Sequence, residues 1–470
     1  MTINDLPDEI LLAIFGFCVV YSPPPPPYEE DTWHTLVHVC RRWRFVVFGS
    51  PRRLNLRLLC MNGRPLKTLD IWPELPIVIH VDDRETCLPL PSVTNVISML
   101  KQNDRVCKIV IDNVPSPLFE QVAAMAKPFP VLIELTLTQM SHMEEPPTFP
   151  DSFLGGSAPR LQSLCLYGFP FPEIGRLLSS TRDLSTLTLG FIPNSGYVSP
   201  EAMVDILSTL TKLKSLYLSF EIPHFSTHGA SRRPPGPVLT RAVLPALTTF
   251  DFASNSKYMG DIVSRIDAPL DCFAVVITPC DQDQLAFDIP LLRDFIWRTK
   301  LLNAPHRADI FFTHYSSRIS LYQRKGGVDS KVLNLGIPCF ASDSQLSALA
   351  QTCSSLLLPL PSLEYLNLYK VESELWSLQW QNEVESAQWM ELLRPFITVK
   401  NLVLANPVVL SVASALQELV GEQVTEILPL LQTIVLEGFR SSSPVPEGIV
   451  KFIAARLLCG RPVVVHRERK

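Results

Sequence analysis

Two histidines, His34 and His38, lie four residues apart in the run HTLVH, a spacing that can present two metal ligands on one face of a helix. The zinc-protease pattern needs a glutamate directly after the first histidine, and Thr35 stands there instead. His224 and His228 lie in a segment rich in proline and serine, which predicts a solvated loop. We therefore expect surface histidines and no metal site at either pair.

Motifs for covalent or phosphate chemistry are missing from the sequence. There is no Gly-x-Ser-x-Gly turn for a nucleophilic serine, no Gly-x4-Gly-Lys-Ser/Thr phosphate loop and no Gly-x-Gly-x-x-Gly dinucleotide loop. An enzyme with an unrecognised site would need clustered polar residues with shifted pKa values in one pocket. The sequence gives no support for such a cluster, so we expect a protein that is not an enzyme and binds no cofactor.

Arginines are concentrated between residues 41 and 57, where they could attract phosphate groups. They are Arg41, Arg42, Arg44, Arg52, Arg53 and Arg57. The whole chain, however, has a formal net charge of −5, which disfavours broad attraction to a nucleic-acid backbone. A solvated helix face explains the arginines better, and we expect protein partners and no nucleic acid.

Helices near the N-terminus must position His34, His38 and the first of these arginines. Residues Asp5 to Glu9 indicate a helix start, because Pro7 suits the first helical position and the acids complement the positive helix end. Apolar residues then recur every three or four positions, at Ile10, Leu11, Ile14, Phe15 and Cys18. A proline-rich stretch at 22–31 predicts an exposed spacer, and a second helical pattern follows from Trp33 to Phe48.

The segments LPDEILLAIF and LVHVCRRWR resemble the two halves of an F-box, a Leu-Pro-x-Glu opening helix followed by a Val-Cys-Arg-x-Trp helix. The resemblance covers Leu6 to Phe48 and implies a three-helix module that binds a Skp-type adaptor and, through it, a cullin. The spacer separates the two halves by about ten more residues than in a compact F-box, which a surface loop tolerates. The implied adaptor-binding residues are Leu6, Pro7, Ile10, Leu11, Ile14 and Leu36, with Val39, Cys40 and Trp43 packing the module and completing its face.

A repeated element of the form apolar-x-x-apolar-x-apolar follows residue 50 and is typical of leucine-rich-repeat strands. Clear copies begin at Val106, Leu132, Leu161, Leu184, Leu213 and Leu247, and weaker ones at Leu292, Leu363, Val399 and Leu431. Helix-like segments lie between them, such as Pro200 to Leu210 behind a capping Ser199. We predict an α/β fold, in which the three-helix F-box precedes a leucine-rich-repeat-like α/β solenoid. No register is evident from about 300 to 355.

The predicted domains are an F-box at 1–50 with its insertion at 22–31, a connecting segment with an irregular first repeat or cap at 51–100, and an irregular repeat region with a C-terminal cap at 101–470. Side chains alternate across a strand, so residues between the inward leucines should face the concave side of the solenoid. The candidates for target binding there are Tyr167, Tyr217, Asp251, Tyr365, Asn367, Tyr369 and Glu437. Tyrosine suits recognition because it joins a large contact area to a polar tip.

Further segments, including GSPRRLNLRLLC and WMELLRPFITVKNLVL, are similar to segments of a large group of basidiomycete fungal F-box proteins. The resemblance implies a substrate-recognition adaptor of a Skp/cullin/F-box ubiquitin ligase that binds an unknown target protein. A leucine-rich-repeat scaffold that binds partners without ubiquitylation is the alternative.

Location is predicted from the N-terminus and the cysteines. No lysine or arginine precedes the apolar run from Ile10 to Val20, which argues against a secretory signal, and that run is too short to span a bilayer. The 11 cysteines are scattered without Cys-x-x-Cys spacing, which indicates reduced thiols. We expect a cytoplasmic or nuclear protein, or one found in both compartments, without a membrane partner.

Overall fold

A computed structural model describes residues 3, 6–20, 33–61, 74–81, 90–114, 116–139, 148–220, 241–278, 290–299, 302, 304–313, 316–338, 342–357, 360–370, 386–419, 421, 423–438 and 444–468. The predicted spacer at 22–31 lies outside these residues, as do His224 and His228. The protein is α/β, as expected, and divides into two compact units, Met1–Leu213 and Lys214–Lys470.

Three helices open the first unit: α1 (Asp8–Val20), α2 (Trp33–Val39) and α3 (Arg41–Gly49). Helix α1 begins directly after Pro7 with Asp8 and Glu9 in its first turn, which confirms the predicted start. The side chains of Leu11, Phe15, Val37, Val46 and Val47 are buried. The ring of Trp43 lies 4.7 Å from that of Phe15, so α3 packs against α1.

Six of the described strands follow in the first unit; all are parallel, and each pairs with the next along the chain. They are β1 (Leu58–Met61), β2 (Ile77–Val81), β3 (Val106–Ile111), β4 (Glu134–Thr138), β5 (Ser163–Tyr167) and β6 (Thr186–Ile192). The repeat elements at Val106, Leu132, Leu161 and Leu184 therefore supply strands, as predicted. Leu135, Leu164 and Leu187 stand in register on adjacent strands and are buried, which explains the leucine spacing.

Helical segments connect these strands. They are α4 (Leu90–Leu100), α5 (Ser116–Ala123), α6 (Ile174–Ser179), α7 (Pro200–Ser208) and two short 3-10 turns at Phe153–Gly156 and Asn194–Gly196. The Ser199 side chain accepts a hydrogen bond from the amide of Ala202 at 3.3 Å and so caps α7, as predicted. Phenylalanines form a dense part of the core, where Phe153 stacks on Phe149 at 4.3 Å between ring centroids.

The second unit contains twelve of the described strands. They are β7 (Ser215–Phe220), β8 (Ala242–Val243), β9 (Thr249–Asn255), β10 (Ile266–Asp267), β11 (Cys272–Thr278), β12 (Arg307–Phe312), β13 (Ser316–Lys325), β14 (Val328–Pro338), β15 (Tyr365–Lys370), β16 (Asn401–Ala405), β17 (Thr433–Glu437) and β18 (Val464–Glu468). Among the strands that the structure describes, β8 and β10 pair only with each other, and the others follow the order β7-β9-β11-β14-β13-β12-β15-β16-β17-β18. The elements predicted at Leu213, Leu247, Leu363, Val399 and Leu431 are confirmed as strands.

The helices of the second unit lie between these strands in the chain. They are α8 (Ser256–Val263), α9 (Pro290–Arg298), α10 (Ser342–Thr352), a π-helical turn at Cys353–Leu357, α11 (Ser386–Leu393), α12 (Val408–Gln417), α13 (Gln423–Glu426) and α14 (Glu447–Leu458). The prediction of a strand at Leu292 is wrong, because Leu292 and its neighbours form helix α9. Leu292, Phe295 and Ile296 are buried at helical spacing, and the repeat pattern fits that spacing equally well.

The segment without a predicted register contains an antiparallel insertion in the parallel sheet. Strands β13 and β14 pair with each other over most of their length, and β13 also pairs with β12. Their turn is Gly326–Gly327, with φ of 59° and 85°, a backbone region that glycine adopts without strain. Leucine repeats cannot predict this hairpin, since its pairing is set by the turn.

Candidate functional site

A recess of about 410 Å³ lies on the sheet of the second unit. Residues on or next to the strands β12 to β18 line it. Tyr365, Asn367, Tyr369 and Glu437 line it, all of them residues predicted to bind the target. Strand register brings these residues together. Asn367 on β15 is paired with Asp309 on β12 and with Val403 on β16, so the three form one row across the sheet. Glu437 and Glu468 form another row on β17 and β18.

One side of the recess is basic but internally paired. The carboxylate of Asp329 lies 2.6 Å from Arg307 Nη1, 3.2 Å from His306 Nε2 and 3.3 Å from Arg324 Nε. Burial opposes ionisation of Asp329, but the hydrogen bond from Arg324 and the charges around it lower its pKa below the usual value. The guanidinium of Arg307 also lies 4.1 Å above the Tyr322 ring. These contacts occupy both arginines that line the recess.

The floor of the recess is polar and buried. Asp309 accepts a hydrogen bond from Asn367 Nδ2 at 2.8 Å and lies 3.1 Å from Arg307 Nε. Burial raises the pKa of Asp309, and the charge of Arg307 partly offsets this. Asn367 is only 8% exposed, so the prediction of an open surface residue is wrong for this side chain. No donor in the described part of the chain reaches Asn367 Oδ1.

Aromatic rings form the remaining wall. Tyr369 stacks on Phe311 with ring centroids 5.0 Å apart, and this contact fixes its ring. Burial, together with the negative charges of Asp309 and Glu437, raises the pKa of Tyr369 to about 12. Tyr365 is more open, and its ring lies 6.3 Å from that of His306.

Three of the predicted target-binding residues lie away from this recess. Tyr217 and Asp251 are half-buried register partners on β7 and β9, where burial raises the pKa of Asp251 against the charge of Lys331. Tyr167 belongs to the first unit and covers Gly190, where an added Cβ would lie only 2.3 Å from its ring. The sequence pattern identified the correct strand positions but could not distinguish these local environments.

The predicted adaptor-binding residues divide into buried and exposed groups. Leu11 and Leu36 are already buried among the three helices, and Leu6, Cys40 and Trp43 are half-buried. Pro7, Ile10, Ile14 and Val39 are exposed, although Val39 was expected to pack within the module. The available contact surface therefore differs from the predicted one, because α1 is apolar on more than one side and periodicity alone does not decide which side faces inward.

Phe17 on α1 and Phe45 on α3 are exposed aromatic residues that were not among the predicted adaptor-binding residues. Phe17 is 62% exposed and Phe45 is 76% exposed. Phe17 follows Ile10 and Ile14 at spacings of seven and three residues, so the three lie on one face of α1. This spacing is visible in the sequence, but the inward and outward faces could be told apart only after packing was known.

Cysteine, histidine and carboxylate side chains are the groups that could serve as nucleophiles or metal ligands. No disulfide links the described cysteines, and burial raises the pKa of the Cys353 thiol to about 12. Across the residues that the structure describes, no group of three or more His, Cys, Asp or Glu side chains could hold a metal ion. Within those same ranges, no helix is both long and apolar enough to cross a bilayer.

No protein-family model matches the sequence. A comparison with curated proteins also found no match.

Proposed function

We propose that this protein is the substrate-recognition adaptor of a Skp/cullin/F-box ubiquitin ligase. The helices α1 to α3 dock a Skp-type adaptor, and the strands of a leucine-rich-repeat-like solenoid hold the target protein. The observation that carries the proposal is the exposed apolar face of α1. Ile10, Ile14 and Phe17 are exposed there by 47%, 37% and 62%.

The exposed face lies on a module that already has its own core. Leu11 and Phe15 on α1 are buried with Val37 on α2 and Val47 on α3. Burial of a large apolar side chain stabilises an assembly by about 1.5–3 kcal/mol, so a partner that covers this face gains substantial free energy. Apolar residues that recur on one face of a small module are typical of a docking surface.

The arginines of α3 support the same function by bracing the module. Arg42 Nη2 lies 2.7 Å from the Asp8 carboxylate at the start of α1. Arg44 Nε donates a hydrogen bond to the Val37 carbonyl of α2 at 3.0 Å. These contacts join all three helices, and they assign two of the arginines to the protein rather than to a phosphate ligand.

A ligase adaptor needs no catalytic group of its own. A ligase adaptor accelerates ubiquitin transfer by holding target lysines near a loaded conjugating enzyme, because tethering raises their effective concentration. The recess on β12 to β18 offers a shaped polar surface for that target. A scaffold without ligase activity would bind the adaptor but would not co-purify with a cullin.

Replacing Ile14 and Phe17 together by aspartate is expected to weaken binding to a purified Skp-type adaptor by at least about 100-fold. Two apolar contacts are lost, and two charges are placed in the interface. Binding is measured by biolayer interferometry on the full chain. Since both positions are exposed, the far-ultraviolet circular dichroism spectrum should remain unchanged.

The matched control is Leu457→Asp, which introduces the same charge at an apolar residue of α14 that is 62% exposed. This variant is expected to bind the adaptor like the unmodified protein. Undiminished adaptor binding by the α1 variant would contradict the assignment, as would an equal loss in the control.

A further inference from the structure

Positive charge is concentrated in helix α3 and the turn that follows it. Residues 33–61 contain six arginines and no aspartate or glutamate, although the whole chain has a formal net charge of −5. Arg42 and Arg44 bond to groups of the neighbouring helices, and Arg57 donates to the Asn55 side chain at 3.3 Å. The three arginines without such a role are Arg41, Arg52 and Arg53.

These three arginines are exposed, and none of them contacts a carboxylate within the described ranges of the chain. Arg41 is the first residue of α3, and the first turn of α3 contains no acid. Its charge therefore adds to the positive end of the helix, where a carboxylate would be more favourable. Repulsion among like charges raises the free energy of the unbound protein, and a bound anionic group relieves that cost.

The turn after α3 holds the other two arginines on a fixed backbone. The Leu54 amide donates a hydrogen bond to the Ser50 carbonyl at 3.2 Å, and the Leu54 side chain is only 3% exposed. Arg52 and Arg53 belong to the same turn and remain exposed. Because the turn is already anchored in the core, binding here does not require ordering of the backbone.

An exposed aromatic ring lies on α3 between the two groups of arginines. Phe45 is 76% exposed and follows Arg41 by four residues, so both lie on one face of the helix. From Arg41 to its end at Gly49 the helix rises by roughly 12 Å, at about 1.5 Å per residue. An extended peptide covers that length with about four residues. A matching ligand has acidic groups about four residues apart and an apolar side chain between them.

From the exposed arginines, the anchored turn and the ring between them, we infer that this surface binds a short acidic segment of a partner protein. The surface is called the basic patch and consists of Arg41, Phe45, Arg52 and Arg53. Its arginines pair with carboxylates, and Phe45 packs on the apolar residue. A short segment meets only the patch, whereas a nucleic acid or a bilayer would extend over other surfaces of an acidic chain. Such binding goes beyond the ligase proposal and does not depend on it.

Labelled peptides measured against the full chain provide the test. The acidic probe is the heptapeptide Asp-Asp-Gly-Leu-Gly-Asp-Asp with an N-terminal fluorescein, and its neutral match has asparagine in place of every aspartate. Fluorescence anisotropy at low salt is expected to show at least about tenfold tighter binding of the acidic probe, since three arginines each add a modest charge-pair contribution. Added salt should weaken the binding because exposed charges are screened. Equal binding of the two peptides would overturn the inference.

Replacing all three arginines of the basic patch by glutamine removes the charge without touching the core. This triple variant should bind the acidic probe at least about tenfold more weakly than the unmodified protein. A matched control that removes the same charge elsewhere should stay within about twofold, since distant exposed charges are screened. It carries Arg160→Gln, Arg182→Gln and Arg394→Gln, all at exposed positions. Equal loss in both variants would reduce the effect to net charge and contradict the patch.

Phe45→Ser separates the contribution of the ring from that of the charges. The acidic probe is compared with a version that has glycine in place of its central leucine. The unmodified protein should bind the leucine version about threefold tighter or more, and the Phe45 variant should bind the two equally. An unchanged preference for leucine in the variant would show that the apolar residue packs elsewhere.

Two phosphate-bearing ligands test the choice of a peptide. A short oligodeoxythymidine of the same nominal charge as the acidic probe, and phosphatidylserine vesicles, are measured with both triple variants. Weaker binding than that of the acidic probe, equal in the two variants, supports the inference. If either ligand binds more tightly than the probe and loses its affinity only in the basic-patch variant, the surface serves a phosphate ligand and the inference fails.

Discussion

Replacing Arg456 by methionine is expected to lower the free energy of unfolding by on the order of 3–5 kcal/mol. This side chain on α14 is fully buried and donates hydrogen bonds to three backbone carbonyls. They are those of Val424 at 3.0 Å, Leu431 at 3.2 Å and Pro429 at 3.4 Å. Methionine fills much of the same space but removes the guanidinium donors from the carbonyls of Val424 and Leu431, and a buried unsatisfied carbonyl costs about 1–3 kcal/mol.

The segment from α13 to β17 explains why the arginine is needed. Burial lowers the pKa of Arg456, and the charge of Arg461 acts in the same direction. A buried cation is retained where it satisfies polar groups that other side chains cannot reach, and here one guanidinium serves an entire turn. Without it, the turn between Val424 and Leu431 would have to open to water.

Arg461→Met is the matched control for this prediction. Arg461 is exposed and reaches the Pro429 carbonyl only at 3.5 Å, so its replacement should change stability by no more than about 0.5 kcal/mol. Chemical denaturation of both variants gives the comparison. Similar losses in the two proteins, or no loss at Arg456, would refute the assigned role.

Phe153→Ala is expected to destabilise the first unit by about 3–5 kcal/mol. The ring of Phe153 is fully buried, stacks on Phe149 at 4.3 Å and meets Phe171 edge-on at 5.6 Å. Alanine leaves a cavity among rigid aromatic rings, and such a cavity collapses poorly. Hydrogen exchange followed by mass spectrometry should show lost protection in peptides that cover residues 148–178.

Tyr197→Ala serves as the control because Tyr197 is an exposed aromatic residue of the same unit. It should leave protection in residues 148–178 unchanged. Unaltered protection in the Phe153 variant would mean that this aromatic group does not hold the unit together.

The strands could be predicted well where leucines alternate in buried register. Leu135, Leu164 and Leu187 occupy equivalent positions, and the pattern found all three because each strand pairs with its neighbour along the chain. The same rule failed at Leu292, where an apolar pair three residues apart fits a helix as well as a strand. It also missed the β13–β14 hairpin, which has no leucine repeat.

The site was predicted in part for the same physical reason. Tyr365, Tyr369 and Glu437 follow from strand alternation, because they flank inward leucines. Arg307, Asp329 and Glu468 come from segments without a repeat signal, so their approach depends on long-range pairing. Asn367 was placed on the correct strand face, but its burial beside Asp309 depends on the neighbouring β12, which the sequence pattern did not reveal.

Size-exclusion chromatography with light scattering, applied to the full chain mixed with a purified Skp-type adaptor and a cullin N-terminal domain, tests the ligase proposal most directly. The exposed Ile10, Ile14 and Phe17 on α1 should be covered by the adaptor. We expect one stoichiometric complex of all three proteins that disappears with the Ile14→Asp and Phe17→Asp double variant. Separate elution of a folded chain and an adaptor–cullin complex would contradict the proposal.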